Sequence, residues 1–469
     1  MARQKSSILF TFLTIAITLV NVPHALTASR LLPNVSLKME DPEFWIKKIE
    51  NPTHVLLTPE EIQKMNEENV KREDLLLCRL KDLKEEWTRE EILSLLKEDW
   101  ESFVRTEEVR YGRYGHSLEE IFWTKLKNNL NQESLKERNR ILFGLIVKRT
   151  DIRVFPTEEL SMSTPANYEF DRFQHSSISP GSPVGIYLFS KDKLWAYVQT
   201  PFIRGWVRIT DLAVAKERSE IVDYDEAKDR LIITGNFIHV FGSSSLQQTV
   251  FLAQMGTSFP ILDLPESSGM AGPYYVIRIP FREIDGNLTF RNAYILGNED
   301  VHRGFLPYTQ KNLAYQAFKM LHQPYGWGEM FGARDCSRFV MDLFGSFGFL
   351  MPRNSKIQAR VGISLGEVEG KTLKEKIKIL DRAVPLTTTL RLPGHIMLYL
   401  GKESGKYYVI HNIWGIQRAG WFGPFLEKIG RTVVSDLSLG KSGPNGSLLD
   451  RITDIQFIGS DLEVQKRIP

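Results

Sequence analysis

An α+β chain of several domains is the fold class that three observations predict. The first is length, since 469 residues exceed the roughly 100–200 of an ordinary domain. The second is texture, which changes near residues 149 and 298. The third is periodicity, which is helical before the first change, strand-like between the two and mixed after the second. Together they predict a helical N-terminal region (29–148), two small β-barrels in succession (149–218 and 219–297) and a C-terminal α+β domain (298–469).

Composition narrows the function. Hydrophobic residues are 42% and charged residues 25%, which excludes a collagen-like, low-complexity or mainly disordered chain. Sixty Lys and Arg face 57 Asp and Glu, and a net charge of +3 gives no argument for a nucleic-acid partner. Only two cysteines occur, Cys78 and Cys336, so a disulfide framework and a four-thiolate zinc site are excluded. No cofactor is expected.

Residues 1–28 read as a signal peptide. Arg3 and Lys5 precede an apolar run over 8–20 that is too short to span a bilayer comfortably, and small residues follow at Ala25 and Ala28. No other stretch resembles a transmembrane helix, so a periplasmic or secreted protein without a transmembrane domain is expected. In an oxidising compartment a free thiol is a liability unless it is buried or functional.

In the helical region, Thr58 with Glu61, Thr88 with Glu91, and Ser117 with Glu120 have capping-box spacing. Ile92, Leu95, Leu96 and Trp100 then follow a helical period. The region shows no chemistry, and a structural role is expected. Cys78, among Leu75, Leu76, Leu77 and Leu80, reads as a small buried hydrophobe. Strands are expected at 184–190, 194–199 and 206–210 in the first barrel, and at 231–240, 248–255 and 274–279 in the second. Trp195, Tyr197 and Trp206 are expected in the core. The segment Gly205-Trp206-Val207-Arg208-Ile209-Thr210-Asp211-Leu212 resembles the closing strand of a bacterial SH3-like domain.

The C-terminal domain carries the reactive residues. Thr309 caps a helix with apolar positions Ala314, Ala317, Phe318 and Leu321. Cys336 opens a second helix, with Phe339, Val340, Leu343, Phe344 and Phe347 on one stripe and Asp335 as N-cap. Backbone N–H groups in a first turn favour a thiolate, while the adjacent Asp335 opposes it. The same position also suits the first residue of a buried stripe, and position alone does not separate these.

His395 begins one alternating strand, and His411 ends the next. A hairpin symmetric about Glu403 would set the two imidazoles opposite each other on one face. In that arrangement Cys336 attacks an amide carbonyl, His395 moves the proton, and His411 fixes the tautomer of His395. The first-turn N–H and the Tyr325 hydroxyl are candidate oxyanion donors. A metal site is not expected, because the spacing of one Cys and two His matches no short zinc motif.

At these residues the chain resembles the NlpC-type papain-like cell-wall cysteine peptidases. The resemblance rests on Tyr325-Gly326-Trp327-Gly328, Asp335-Cys336-Ser337, Met351-Pro352-Arg353-Asn354-Ser355 with Gln358, and Pro393-Gly394-His395 through Gly401, and it covers about residues 305–415. With SH3-like barrels ahead of it, the chain resembles the branch that cleaves γ-D-glutamyl-diamino acid bonds in peptidoglycan stem peptides, tri- or tetrapeptides among them. The resemblance implies a papain-like α+β catalytic domain. It implies Cys336 as nucleophile, His395 as base and His411 as orienting residue. It also implies Asp335 and Ser337 as holders of the free amine of an N-terminal L-Ala.

Two features depart from the pattern. Arg338 stands where the family usually has Gly after Cys-Ser, so it either faces the groove and alters a subsite or faces solvent without effect. His395 follows Pro393-Gly394 directly. A second reading, from another class, is an inert wall-binding protein that works through its barrels.

Overall fold

A computed structural model describes residues 31–104, 108–262 and 274–460. The expected signal peptide lies outside the described residues. Among those residues, no helix is long and apolar enough to cross a membrane. The chain is mixed α/β with several antiparallel sheets.

The N-terminal part contributes three helices of more than one or two turns: α1 (Pro59–Val70), α2 (Arg89–Phe103) and α3 (Glu120–Asn129). Thr58 and Thr88 form complete capping boxes with Glu61 and Glu91. Ser117 does not. It makes an extended bridge with Tyr111, and α3 starts later, from Glu119.

This part has no core of its own. Trp45, Leu57, Ile62 and Leu75 share one cluster with Phe339, Leu343 and Ile396, whereas Ile92, Leu96, Leu126 and Leu130 share another with Tyr197 and Trp206. Each helix is short and has one apolar stripe, so it buries that stripe on whichever neighbour is in reach. Cys78 packs partly buried against the second cluster, and burial pushes its thiol up to about 11.

The first barrel is a seven-stranded sheet. Its strands are β1 (Leu142–Ile146), β2 (Thr150–Arg153), β3 (Gln174–Ile178), β4 (Pro183–Phe189), β5 (Trp195–Gln199), β6 (Arg204–Arg208) and β7 (Leu212–Val214), in the order β3-β2-β6-β5-β4-β1-β7. β1 lies before the expected boundary at residue 149, yet it pairs with both β4 and β7. The missed signal was Leu142-Phe143-Gly144-Leu145-Ile146, a continuous apolar run whose period cannot tell strand from helix. Trp195, Tyr197 and Trp206 are all buried.

The second β unit packs two sheets around one cluster that includes Leu231, Val240, Phe259, Ile277 and Ile295. Its strands are β8 (Arg230–Ile233), β9 (Phe237–Phe241), β10 (Thr249–Gln254), β11 (Ser258–Pro260), β12 (Tyr274–Arg282), β13 (Leu288–Leu296) and β14 (Val301–Arg303). The sheets run β11-β8-β14 and β10-β9-β13-β12. The single strand expected over 231–240 is therefore two, which enter different sheets around Gly235. A Cβ on Gly235 would meet Asp300 and Ile238 at 2.7 Å. β14 lies past the expected boundary at 297 and pairs with β8.

The C-terminal part sets α5 (Cys336–Gly345) against a six-stranded sheet, with α4 (Gln310–Lys319) packed on α5. The sheet comprises β15 (Ile363–Ser364), β16 (Thr388–Leu392), β17 (His395–Glu403), β18 (Lys406–Arg418), β19 (Phe425–Asp436) and β20 (Asp454–Phe457). Its order is β15-β20-β16-β17-β18-β19.

Candidate active site

Cys336 is the first residue of α5. The Asp335 carboxylate caps the helix by accepting from Arg338 N–H at 2.8 Å. Burial pushes the thiol up to about 12, and the Asp335 charge adds to the rise, while Ile396 N–H, Arg353 and Ser337 N–H act against it. First-turn N–H donation was expected to lower the thiol pKa. It does act in that direction, but removal from water outweighs it.

The histidines pair, though not by the expected register. The turn is Ser404-Gly405, with φ of 48° and 76°, and Glu403 pairs with Lys406 rather than marking the centre. Nearer the histidines the ladder shifts by one residue between Tyr399 and Gly401, so that Leu398 pairs with Ile410. A side chain's face alternates along a strand, so this bulge decides which face His395 shares with β18. With the bulge, His395 and His411 lie diagonally on one face, and His395 Nε2 is 2.7 Å from His411 Nδ1.

A further residue continues the chain. His411 Nε2 is 2.9 Å from Ser435 Oγ on β19, and both residues are fully buried. Ser435 carries no signal in the sequence, since only the β18–β19 register brings it to His411. Burial lowers His395 to about 3; Arg451 adds to this and Asp335 opposes it. Burial and the neighbouring His395 hold His411 well below its ordinary value. Both rings are therefore neutral in the resting site.

Asp335 and Ser337 are held by Arg353. The guanidinium donates to Asp335 Oδ2 at 2.8 Å, to Asp335 Oδ1 at 3.2 Å, to Ser337 Oγ at 2.7 Å and to Ser176 Oγ at 2.6 Å. Gln358 donates to the Ser337 and Pro352 carbonyls, both at 2.8 Å. Tyr325 sits in the same cavity as Cys336, and burial keeps its phenol protonated.

Arg338 faces neither groove nor solvent, which corrects both expectations. It is buried, and it donates to Asp342 at 2.5 Å, to Glu329 at 3.0 Å and to the Ser177 carbonyl at 3.3 Å. Glu329 is fully buried with φ of 68°, the left-handed region that an unbranched glycine adopts more readily. It also accepts from Ser176 Oγ at 2.8 Å and from Ser177 N–H at 3.0 Å on β3. Burial would raise the Glu329 carboxyl, but Arg338, Arg353 and Arg149 outweigh it and hold it at about 2. This cluster ties the first barrel to the start of α5.

The cavity at Cys336 measures about 640 Å³ and is walled by three parts of the chain. The C-terminal part gives Tyr325, Asp335, Ser337 and Gly394, and the first barrel gives Arg172, Gln174 and His175. The N-terminal part gives Ser102, Phe103, Glu108 and Arg110.

An SH3-domain family model (SH3b1 type) matches residues 162–208, which lie in the first barrel. No curated protein matches the chain. Among solved structures, an NlpC/P60 endopeptidase from Photobacterium damselae subsp. piscicida superposes with a TM-score of 0.69 at 18% identity, covering 88% of this chain and 96% of that one. An NlpC/P60 family protein from Bacillus cereus covers 67% of this chain and 98% of that one at 14% identity, with a TM-score of 0.46. The chain thus has the fold of an NlpC/P60 endopeptidase and carries an SH3b-type domain.

Proposed function

We propose that the chain is a cysteine endopeptidase that hydrolyses the γ-D-Glu–diamino acid bond of peptidoglycan stem peptides, outside the cytoplasm. The observation that carries this reading is the His395–His411 contact of 2.7 Å on a strand whose next amide, Ile396 N–H, points to the Cys336 sulfur. The NlpC/P60 fold and the SH3b-type domain support a cell-wall substrate.

The hydrogen-bond chain suits a neutral base. With His411 Nε2–H donating to Ser435 Oγ, His411 Nδ1 is free to accept from His395 Nε2–H. That leaves the lone pair of His395 on Nδ1 for the thiol proton. The Cys336 sulfur then attacks the γ-carbonyl carbon as His395 takes the proton. The first-turn N–H and the hydroxyl of Tyr325, which lines the same cavity, would donate to the oxyanion. His395 next protonates the leaving amine, and water releases the acyl group from sulfur.

A free N-terminal amine would have to share Asp335 with Arg353, which already balances its charge. The test uses the purified protein with L-Ala-γ-D-Glu-diaminopimelate, the same peptide capped by N-acetylmuramate, and Cys336→Ala as control. Release of diaminopimelate from either peptide by wild type alone supports the peptidase. Cleavage of the free peptide only supports amine recognition, and equal cleavage removes it. No cleavage, with retained binding to murein sacculi, would favour the wall-binding alternative.

A further inference from the structure

We infer that Arg172 and Lys356 are specificity residues that hold a carboxylate of the substrate beside the scissile bond. This rests on the peptidase reading above and adds the charge class of the peptide to it.

Most charged side chains lining the Cys336 cavity are already matched. Glu108 pairs with Arg110 at 2.5 Å, Asp335 with Arg353 at 2.8 Å, and Arg391 with Asp454 at 3.0 Å. Two lining charges remain, Arg172 and Lys356. Both are exposed, both are positive, and neither has a carboxylate partner among the described residues. Among the described residues the unmatched charge of the cavity is therefore cationic, and a concave site with low-dielectric walls concentrates that field.

Arg172 is also held in place. Its guanidinium lies 5.6 Å from the centroid of the Trp327 ring, and Trp327 Nε1–H donates to the Asp171 carbonyl at 3.1 Å. Lys356 follows the Arg353-Asn354-Ser355 turn, where its own N–H donates to Asn354 Oδ1 at 2.8 Å. One cation thus comes from the first barrel and the other from the C-terminal part, and both open on the cavity that holds the nucleophile.

The proposed substrate offers a carboxylate on either side of the bond. A γ-linked D-Glu keeps its α-carboxylate free on the acyl side, and the diamino acid of a tripeptide carries carboxylates on the amine side. A planar guanidinium and an ammonium are both suited to such a group.

The experiment compares three tripeptides: the free acid, the D-Glu α-amide, and the peptide amidated on the diamino acid. Wild type, Arg172→Gln and Lys356→Gln are assayed on each, with Tm measured to confirm folding. The expected result is that wild type loses about tenfold in kcat/KM on one amidated peptide, mainly through KM. Both variants should lose a similar factor on the acid and nothing further on that amide. The D-Glu amide reports the acyl side, and the other amide reports the amine side. Equal cleavage of all three by wild type overturns the inference but leaves the peptidase reading intact, as do variants that keep the wild-type preference. Cleavage of none by wild type overturns both.

Discussion

Cys336 and its partners make the residue-scale predictions. Burial pushes the Cys336 thiol up and the His395 imidazole down, which favours a neutral thiol and imidazole over a standing thiolate–imidazolium pair. Iodoacetamide should therefore alkylate Cys336 about tenfold faster per pH unit from pH 6 to 9, because only the thiolate reacts. A rate already level at pH 6 would show the standing ion pair instead. Ser435→Ala should lower kcat without changing KM, because Ser435 accepts from His411 and touches no substrate in the proposed mechanism. A fall of about tenfold is expected, and a change confined to KM would argue against its place in the chain. His395 was legible in the sequence as the start of an alternating strand, whereas His411, expected to end the next strand, lies within β18, which runs on to Arg418. Ser435 was not legible, because a serine in a strand has no distinguishing pattern.

At the scale of elements, the β17–β18 hairpin and α5 carry the argument. The pairing of His395 with His411 was expected from a turn centred on Glu403, and it occurs through a different turn and a bulge. The two differences cancel in facing: the Ser404-Gly405 turn alone would put the rings on opposite faces, and the one-residue shift restores them. Leu400 has no partner in the ladder, so deleting it should close the bulge without moving His395 from its place opposite Ile413, and peptide cleavage should persist in protein that retains native strand content by circular dichroism; loss of cleavage in such protein would contradict this register. In α5, Arg338 was legible as a departure but not as a partner of Glu329, since the irregular backbone between Glu329 and Asp335 brings the two together. Glu329→Ala should destabilise the fold by about 3–5 kcal/mol in urea unfolding, because it leaves Arg338 and Arg353 buried without their shared carboxylate. Loss of less than about 1 kcal/mol would mean that Asp342 and Asp335 suffice.

At the scale of the molecule, pH and the N-terminal part supply the remaining test. His175, His395 and His411 are all depressed, the first two to about 3, mainly by burial. A histidine held neutral in the fold binds fewer protons folded than unfolded, so its contribution is complete above about pH 6.5 and declines as pH falls from there toward 3. Tm should be level between pH 7 and 8 and should fall steadily below 6.5, and a Tm that rises on acidification would contradict it. The N-terminal part was expected as one helical domain, yet it divides between two cores and lends Phe103 and Arg110 to the cavity. The sequence by itself determined the main classes of structure along the chain, the candidate cysteine and histidines, and the helix that Cys336 opens. Those follow from local periodicity, capping and residue chemistry. Only the tertiary structure decided the strand that joins the first barrel from before its expected start, the bulge that aligns the rings, and the charges left unmatched at the cavity. Each of these depends on contacts between residues distant in the chain, and local patterns do not encode such partners.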